Sequence, residues 1–151
     1  MRTIAMIATS MLLLMGCDAK NNKSIPRPLA KKATFELYVV SATGGANTKT
    51  DTDPQTGTTI YLTTPAVITS SDVESVSLSA DMPDQKRLNV NLTPNGASKL
   101  SAATATPNGM RLAIAVNDKI VSAPAIRATL SNSVSISGDK LEVTLDALTK
   151  E

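Results

Sequence analysis

Apolar and polar positions alternate most regularly between Arg87 and Ile126, in RLNVNLTPNGASKLSAATATPNGMRLAIAVNDKIVSAPAI. Leu88, Val90 and Leu92 alternate with Asn89, Asn91 and Thr93, the period of a half-buried strand. Thr93-Pro94 then supplies a helix N-cap, followed by proline at the first helical position, where a missing N–H costs nothing. Ala97, Leu100, Ala103 and Thr104 form one narrow stripe at helical spacing, and Pro107-Asn108-Gly109 ends the helix. Leu112, Ile114 and Val116 alternate again, Asn117-Asp118-Lys119 turns the chain, and Ile120-Val121 begins a return strand. The helix must lie across these strands for both apolar faces to be buried. Val90, Leu92, Leu100, Leu112, Ile114, Val116 and Ile120 are therefore expected in one core.

The flanking pattern is weaker. Ala33–Ser41 reads as a first strand with Phe35, Leu37 and Val39 on one face. Ala42–Gly57 is a Gly/Thr/Asp-rich loop, hairpin-like and solvated. Thr58–Thr63 and Ser75–Ala80 are further strands, with Ser70-Ser71-Asp72 capping a turn between them. Asp81–Lys86 reads as a loop whose Met82 either packs locally or offers a soft apolar contact to a partner. Ser122-Ala123-Pro124 is extended, with proline confined to an edge or bulge, and Ile126–Leu130 and Ser133–Ser137 read as short strands. In the tail, Leu141, Val143 and Leu145 alternate as in a strand, whereas Leu141, Leu145 and Leu148 have helical spacing.

The stretch LTPNGASKLSAATATPNGMRLAIAVNDKIVSAPAI resembles the head part of the first periplasmic domain of the SecD family, a subunit of the SecDF protein-translocation machinery. The likeness reaches upstream through Tyr61-Leu62, Pro65–Thr69 and Asp72-Val73, and downstream to Ile136-Ser137-Gly138, so that it spans roughly residues 58–148. It is carried by the spaced motifs LTPNGA, LAIAVNDKIVSAP and ISG. The resemblance implies a helix starting near Asp139 or Lys140, and so favours a helical tail. It also implies a translocation-associated, polypeptide-binding role. Nothing in the chain resembles SecD's membrane-embedded helices. The expected fold is α+β: a single small domain, mostly antiparallel sheet, with one central helix packed on it and a C-terminal helix.

Residues 1–16 read as a targeting segment. Arg2 precedes an apolar run from Ile4 to Met15, shorter than the ~20 residues a spanning helix needs. The run ends in Leu14-Met15-Gly16-Cys17, which resembles the lipobox of bacterial lipoproteins. That likeness implies diacylglycerol on the Cys17 sulfur, cleavage before Cys17 and N-acylation by a palmitate-type chain. Asp18, directly after the anchor, resembles the inner-membrane retention signal of enteric-type lipoproteins. Residues 17–32 are polar and carry two prolines, as a lipidated flexible tether would, with ends about 20 Å apart as a coil. Its Lys20, Lys23, Arg27, Lys31 and Lys32 suit either solubility or contact with anionic headgroups. The domain proper is expected over 33–151, facing the periplasm.

Composition narrows the chemistry. The chain of 151 residues has no histidine, which removes the usual general base and the commonest metal ligand. Its single cysteine, Cys17, is taken by the anchor, so the domain must hold by packing without a disulfide. A formal net charge of +2 and only Phe35, Tyr38 and Tyr61 as aromatics give neither the basic footprint nor the stacking platform of a nucleic-acid binder. Asp51-Thr52-Asp53 with Gly57 departs from a calcium loop in spacing and in lacking the closing glutamate. No phosphate-binding glycine pattern is present, and the scattered carboxylates mark out no catalytic pair. The expectation is a protein without catalytic residues, metal, cofactor or small-molecule substrate, whose partner is a protein or polypeptide. Two roles fit: a translocation-associated binding module, or an inhibitor or immunity-type lipoprotein that blocks one envelope protein, with Ala42–Gly57 as its protruding loop.

Overall fold

A computed structural model describes residues 25–82, 85–107, 109–138 and 140–150. The alternating segments form β1 (Phe35–Ser41), β2 (Thr48–Thr52), β3 (Thr59–Thr63), β4 (Val73–Met82), β5 (Gln85–Leu92), β6 (Arg111–Val116), β7 (Lys119–Ser122) and β8 (Ser133–Ser137). A 3-10 turn at Ser70–Asp72 precedes β4, helix α1 (Pro94–Ala103) follows β5, and helix α2 (Leu141–Thr149) ends the fold. The strands make two antiparallel sheets, a five-stranded one ordered β2-β3-β1-β6-β7 and a three-stranded one ordered β4-β5-β8. This is the expected α+β, mostly antiparallel class, with the strands divided between two layers.

The division follows from which residues are apolar. Phe35 and Leu37 of β1 and Leu112, Ile114 and Val116 of β6 present one face of the large sheet. Val76, Leu88, Val90, Val134 and Ile136 present the inner face of the small one. Leu100 of α1 and Leu141, Leu145 and Leu148 of α2 complete this core, and α2 packs against β4, β5 and β6. Each such aliphatic side chain contributes about 1.5–3 kcal/mol on burial, which is how a domain without a disulfide holds together. The opposite face of the large sheet buries a second cluster of Tyr38, Ile60, Leu62, Ala113, Ala115 and Ala123.

Several expectations are revised. Val90, Leu92, Leu100, Leu112, Ile114 and Val116 do share the main core, but Ile120 packs half-buried on the second cluster. Ile120 stands directly opposite Ala115 in the β6–β7 pairing and so shares the face of the second cluster, while Val121, next along β7, packs against the main core. Ile126–Leu130 is not a strand: Ala125 makes one bridge to Arg111, and Thr104 Oγ1 accepts the Leu130 N–H at 2.9 Å. Ala42–Gly57 contains β2, whose alternation of threonine with Lys49 and Asp51 shows no hydropathy contrast and whose five residues all pair with β3. Strands run into the expected 81–86 loop, to Met82 and again from Gln85, while Pro83 and Asp84 lie outside the described residues. Helix α1 stops at Ala103, before Pro107, with Thr104 as its C-cap. Within the stretch read as tether, Arg27 bridges Val76 and Ala30 donates to the Leu148 carbonyl at 2.8 Å.

Candidate functional site

Cys17 and Asp18, the residues read as the lipid anchor and its sorting signal, lie outside the described residues. The three motifs that carry the family resemblance lie within them, and each forms a joint of the fold. In LTPNGA, Leu92 ends β5, Thr93 Oγ1 caps α1 by accepting the Gly96 N–H at 3.2 Å, and Pro94 takes the first helical position. Gly96 lies against the 3-10 turn so closely that a Cβ there would meet the Asp72 carbonyl oxygen at 2.6 Å. Asp72, almost wholly buried, accepts Lys99 Nζ at 2.8 and 3.0 Å and the Thr69 N–H at 3.1 Å. Burial opposes its ionisation, but Lys99 and the Thr69 amide outweigh burial and hold its carboxyl below the usual range.

The second motif makes the β6–β7 hairpin. Asn117 and Asp118 adopt positive φ of 48° and 63°, as a tight two-residue turn requires. Asn117 exchanges backbone and side-chain hydrogen bonds with Thr34 at 2.9 Å, and its Nδ2 donates to the Ala147 carbonyl at 3.3 Å. The turn thereby ties the entry of β1 to the end of α2. In the third motif, Ile136 is buried in the main core and Gly138 leads toward α2. These residues build architecture, with Asn117, Asp118 and Lys119 exposed at the hairpin turn.

Surfaces that can meet a partner lie elsewhere. The β2–β3 hairpin pairs with β1 only at Val40 and Ser41, so its turn projects past the end of that strand. Asp53, fully buried at the turn, is ion-paired with Arg111 at the start of β6, and Arg111 Nε donates to the Ala123 carbonyl at 3.0 Å. Burial raises the Asp53 pKa, yet hydrogen bonds from Arg111, the Gln55 N–H and Thr56 prevail and keep the carboxylate ionised. In the sequence, Asp53 stands out only as part of a loop that fails the calcium pattern. Its partner is distant in the chain, and no local pattern announces such a pair. A cleft of about 620 Å3 separates this turn, at Pro54 and Gln55, from Val121, Ile136 and the first residues of α2.

Beside the hairpin, Tyr38 donates to Glu36 at 2.6 Å and accepts from Lys49 at 2.8 Å, with the ammonium 4.0 Å from the ring centre. Burial and the hydrogen bond to Glu36 push the phenol pKa up, so the group stays protonated at neutral pH. On the outer face of the small sheet, Ser75, Ser77 and Ser79 stand beside Asn91, Asn89 and Arg87, which in turn stand beside Ser133, Ser135 and Ser137. Asn89 Nδ2 donates to Ser79 at 2.9 Å, and Ser135 donates to Asn89 Oδ1 at 2.7 Å. This face is polar, with Arg87 as its one charge among these residues and Ser77 buried at its centre. Among the described residues no group of three or more His, Cys, Asp or Glu is placed to hold a metal. No helix among them is long and apolar enough to cross a membrane.

Residues 46–148 match the family described as the SecDF, P1 head subdomain, a match that begins upstream of the motifs and takes in the β2–β3 hairpin. The protein translocase subunit SecD of Aquifex aeolicus (strain VF5) is 36% identical over 73 residues, which are 48% of this chain and 15% of that protein. Among solved structures, SecDF in a super-membrane-facing form aligns at a TM-score of 0.58 with 20% identity, over 77% of this chain and 18% of that one. A SecDF structure described as a membrane component that enhances protein export aligns at 0.58 with 19% identity, over 82% of this chain and 61% of that one. SecDF of a Thermus species aligns at 0.51 with 21% identity, over 75% and 18%. The chain thus spans a minor part of the SecD protein it matches, and the solved structures share its fold. On the breadth of the first match, the chain belongs to the SecDF P1 head subdomain family.

Proposed function

We propose that this protein is a lipid-anchored periplasmic module that binds polypeptide and assists protein export. The observation that carries the reading is the head-subdomain match over 46–148, joined to the relationship with proteins named for translocation and export. The surface is consistent with it: exposed strand edges, a projecting hairpin and an open cleft suit contact with an extended chain better than enclosure of a small molecule. The anchor is Cys17, acylated after cleavage behind Gly16, and Asp18 retains the protein on the inner membrane, where export takes place. Acylation holds the head at the membrane surface, with Asp18–Ser24 and the following residues as the connection.

Photocrosslinking from surface positions of the full chain in cells carrying a stalled export substrate tests this. Crosslinks to the stalled chain, and to several unrelated secretory chains, are expected. One stoichiometric folded partner and no substrate crosslinks would overturn the reading in favour of a specific inhibitor.

A further inference from the structure

The outer edge of β4 is treated differently from the other edges of the two sheets. Arg27 bridges Val76 through two backbone hydrogen bonds of 2.8 Å, one in each direction, which is the pairing of an antiparallel ladder. Leu29 and Ala30 pack half-buried against the main core, and the Ala30 N–H reaches the last turn of α2. The segment from Ile25 to Ala30 therefore lies in the position of a fourth strand, yet it makes only that one bridge. In a regular antiparallel strand the outward-pointing backbone groups recur at every second residue. The pairing of β4 with β5 is regular from Ser75 to Ala80, so Leu78 turns its N–H and C=O to the same edge as Val76. Its place opposite falls to Ile25, which is 75% exposed and makes no backbone hydrogen bond to Leu78 among the described residues.

We infer that the β4 edge is an acceptor for an extended polypeptide segment, occupied in cis by Ile25–Ala30. The occupant's chemistry is read from the segment already there: an extended chain with a free donor and acceptor at alternate positions and an aliphatic side chain to pack on the main core, as Leu29 does. Pro26 and Pro28 flank the bridging residue at the positions facing away from β4, where a missing N–H weakens nothing on the inner side and denies a ladder to the next strand. The cis segment thus closes the edge against further growth while holding it by a single bridge, so a chain pairing with both Val76 and Leu78 can displace it. This inference rests on the polypeptide-binding reading above and assigns the place where binding occurs.

The test uses the full chain in detergent, as wild type and as Arg27→Pro, which removes the N–H donated to Val76. The probe is the labelled peptide IPRPLAKK, residues 25–32. Because the tethered segment competes at an effective concentration of order millimolar, the peptide should bind the variant at least about tenfold more tightly than wild type. Hydrogen exchange of the Val76 amide should quicken in the variant and slow again when peptide is added. Equal affinity for the two proteins, or binding that leaves Val76 exchange unchanged, overturns the inference and reduces the segment to a guard on the edge. Leu29→Asp lifts the segment through its packing and must give the same pattern if Arg27→Pro does not fold. Should the site fail while crosslinks to export substrates persist, the acceptor is wrong and the function stands; loss of both removes the function as well.

Discussion

The Asp53 carboxylate is fully buried at the turn between β2 and β3, and its ion partner is Arg111, across the sheet at the start of β6. Since β3 and β1 separate β2 from β6 in the sheet, this contact ties the hairpin turn to a strand it does not pair with. Removing the guanidinium leaves a buried charge alone, which costs more than the pair contributes. Arg111→Ala is expected to destabilise by about 3–5 kcal/mol in urea unfolding. Asp53→Asn combined with Arg111→Met should cost less than Arg111→Ala alone. Equal costs would mean the carboxylate is hydrated.

Asp53 and Asp72 are both held below their ordinary value of 3.8. A carboxyl with a depressed folded-state pKa contributes stability above its unfolded pKa and loses it as pH falls through the folded one. The urea midpoint should therefore change little between about pH 7 and 5 and fall below about pH 4. Asp72→Asn should flatten that acid limb. A midpoint that falls as pH rises from 5 to 7 would contradict the sign.

Gly96 faces the Asp72 carbonyl, and its Cβ position is blocked at 2.6 Å by backbone. In an exposed helix, Gly→Ala stabilises by up to about 1 kcal/mol. Here Gly96→Ala is expected to destabilise by about 1–3 kcal/mol, because helix and turn must separate. A raised melting temperature would show that the joint yields freely.

Leu112 lies in the main core, whereas Ile120 sits half-buried over the second cluster. Leu112→Ala should cost about 2–5 kcal/mol. Ile120→Ala should cost clearly less, and a reversal of that order would mean β7 faces the other way.

For the anchor, Cys17→Ser should abolish acylation and give an unlipidated species released on mild extraction. Labelling with a radioactive fatty acid and gradient fractionation check this. Wild type should sediment with the inner membrane and Asp18→Ser should shift outward. Wild-type protein found with the outer membrane would refute retention by Asp18.

Sequence alone determined the elements whose signals are local. Period-two alternation marked β1, β5 and β6, Thr93-Pro94 marked the start of α1, and Asn117-Asp118 marked the hairpin turn, because each depends on residues within a few positions of one another. The spaced motifs likewise carried the family, since the joints they build demand particular residues such as Gly96. Tertiary structure alone decided the rest. The face presented by Ile120 follows from its pairing opposite Ala115, whose side chain packs in the second cluster. The strand β2 exists because β3 supplies its partner, since its own residues show no apolar contrast. Asp53 finds Arg111, and Arg27 finds Val76, only when segments about 50 or more residues apart are brought together by burial of the core, which acts on area and leaves no periodic trace in the chain.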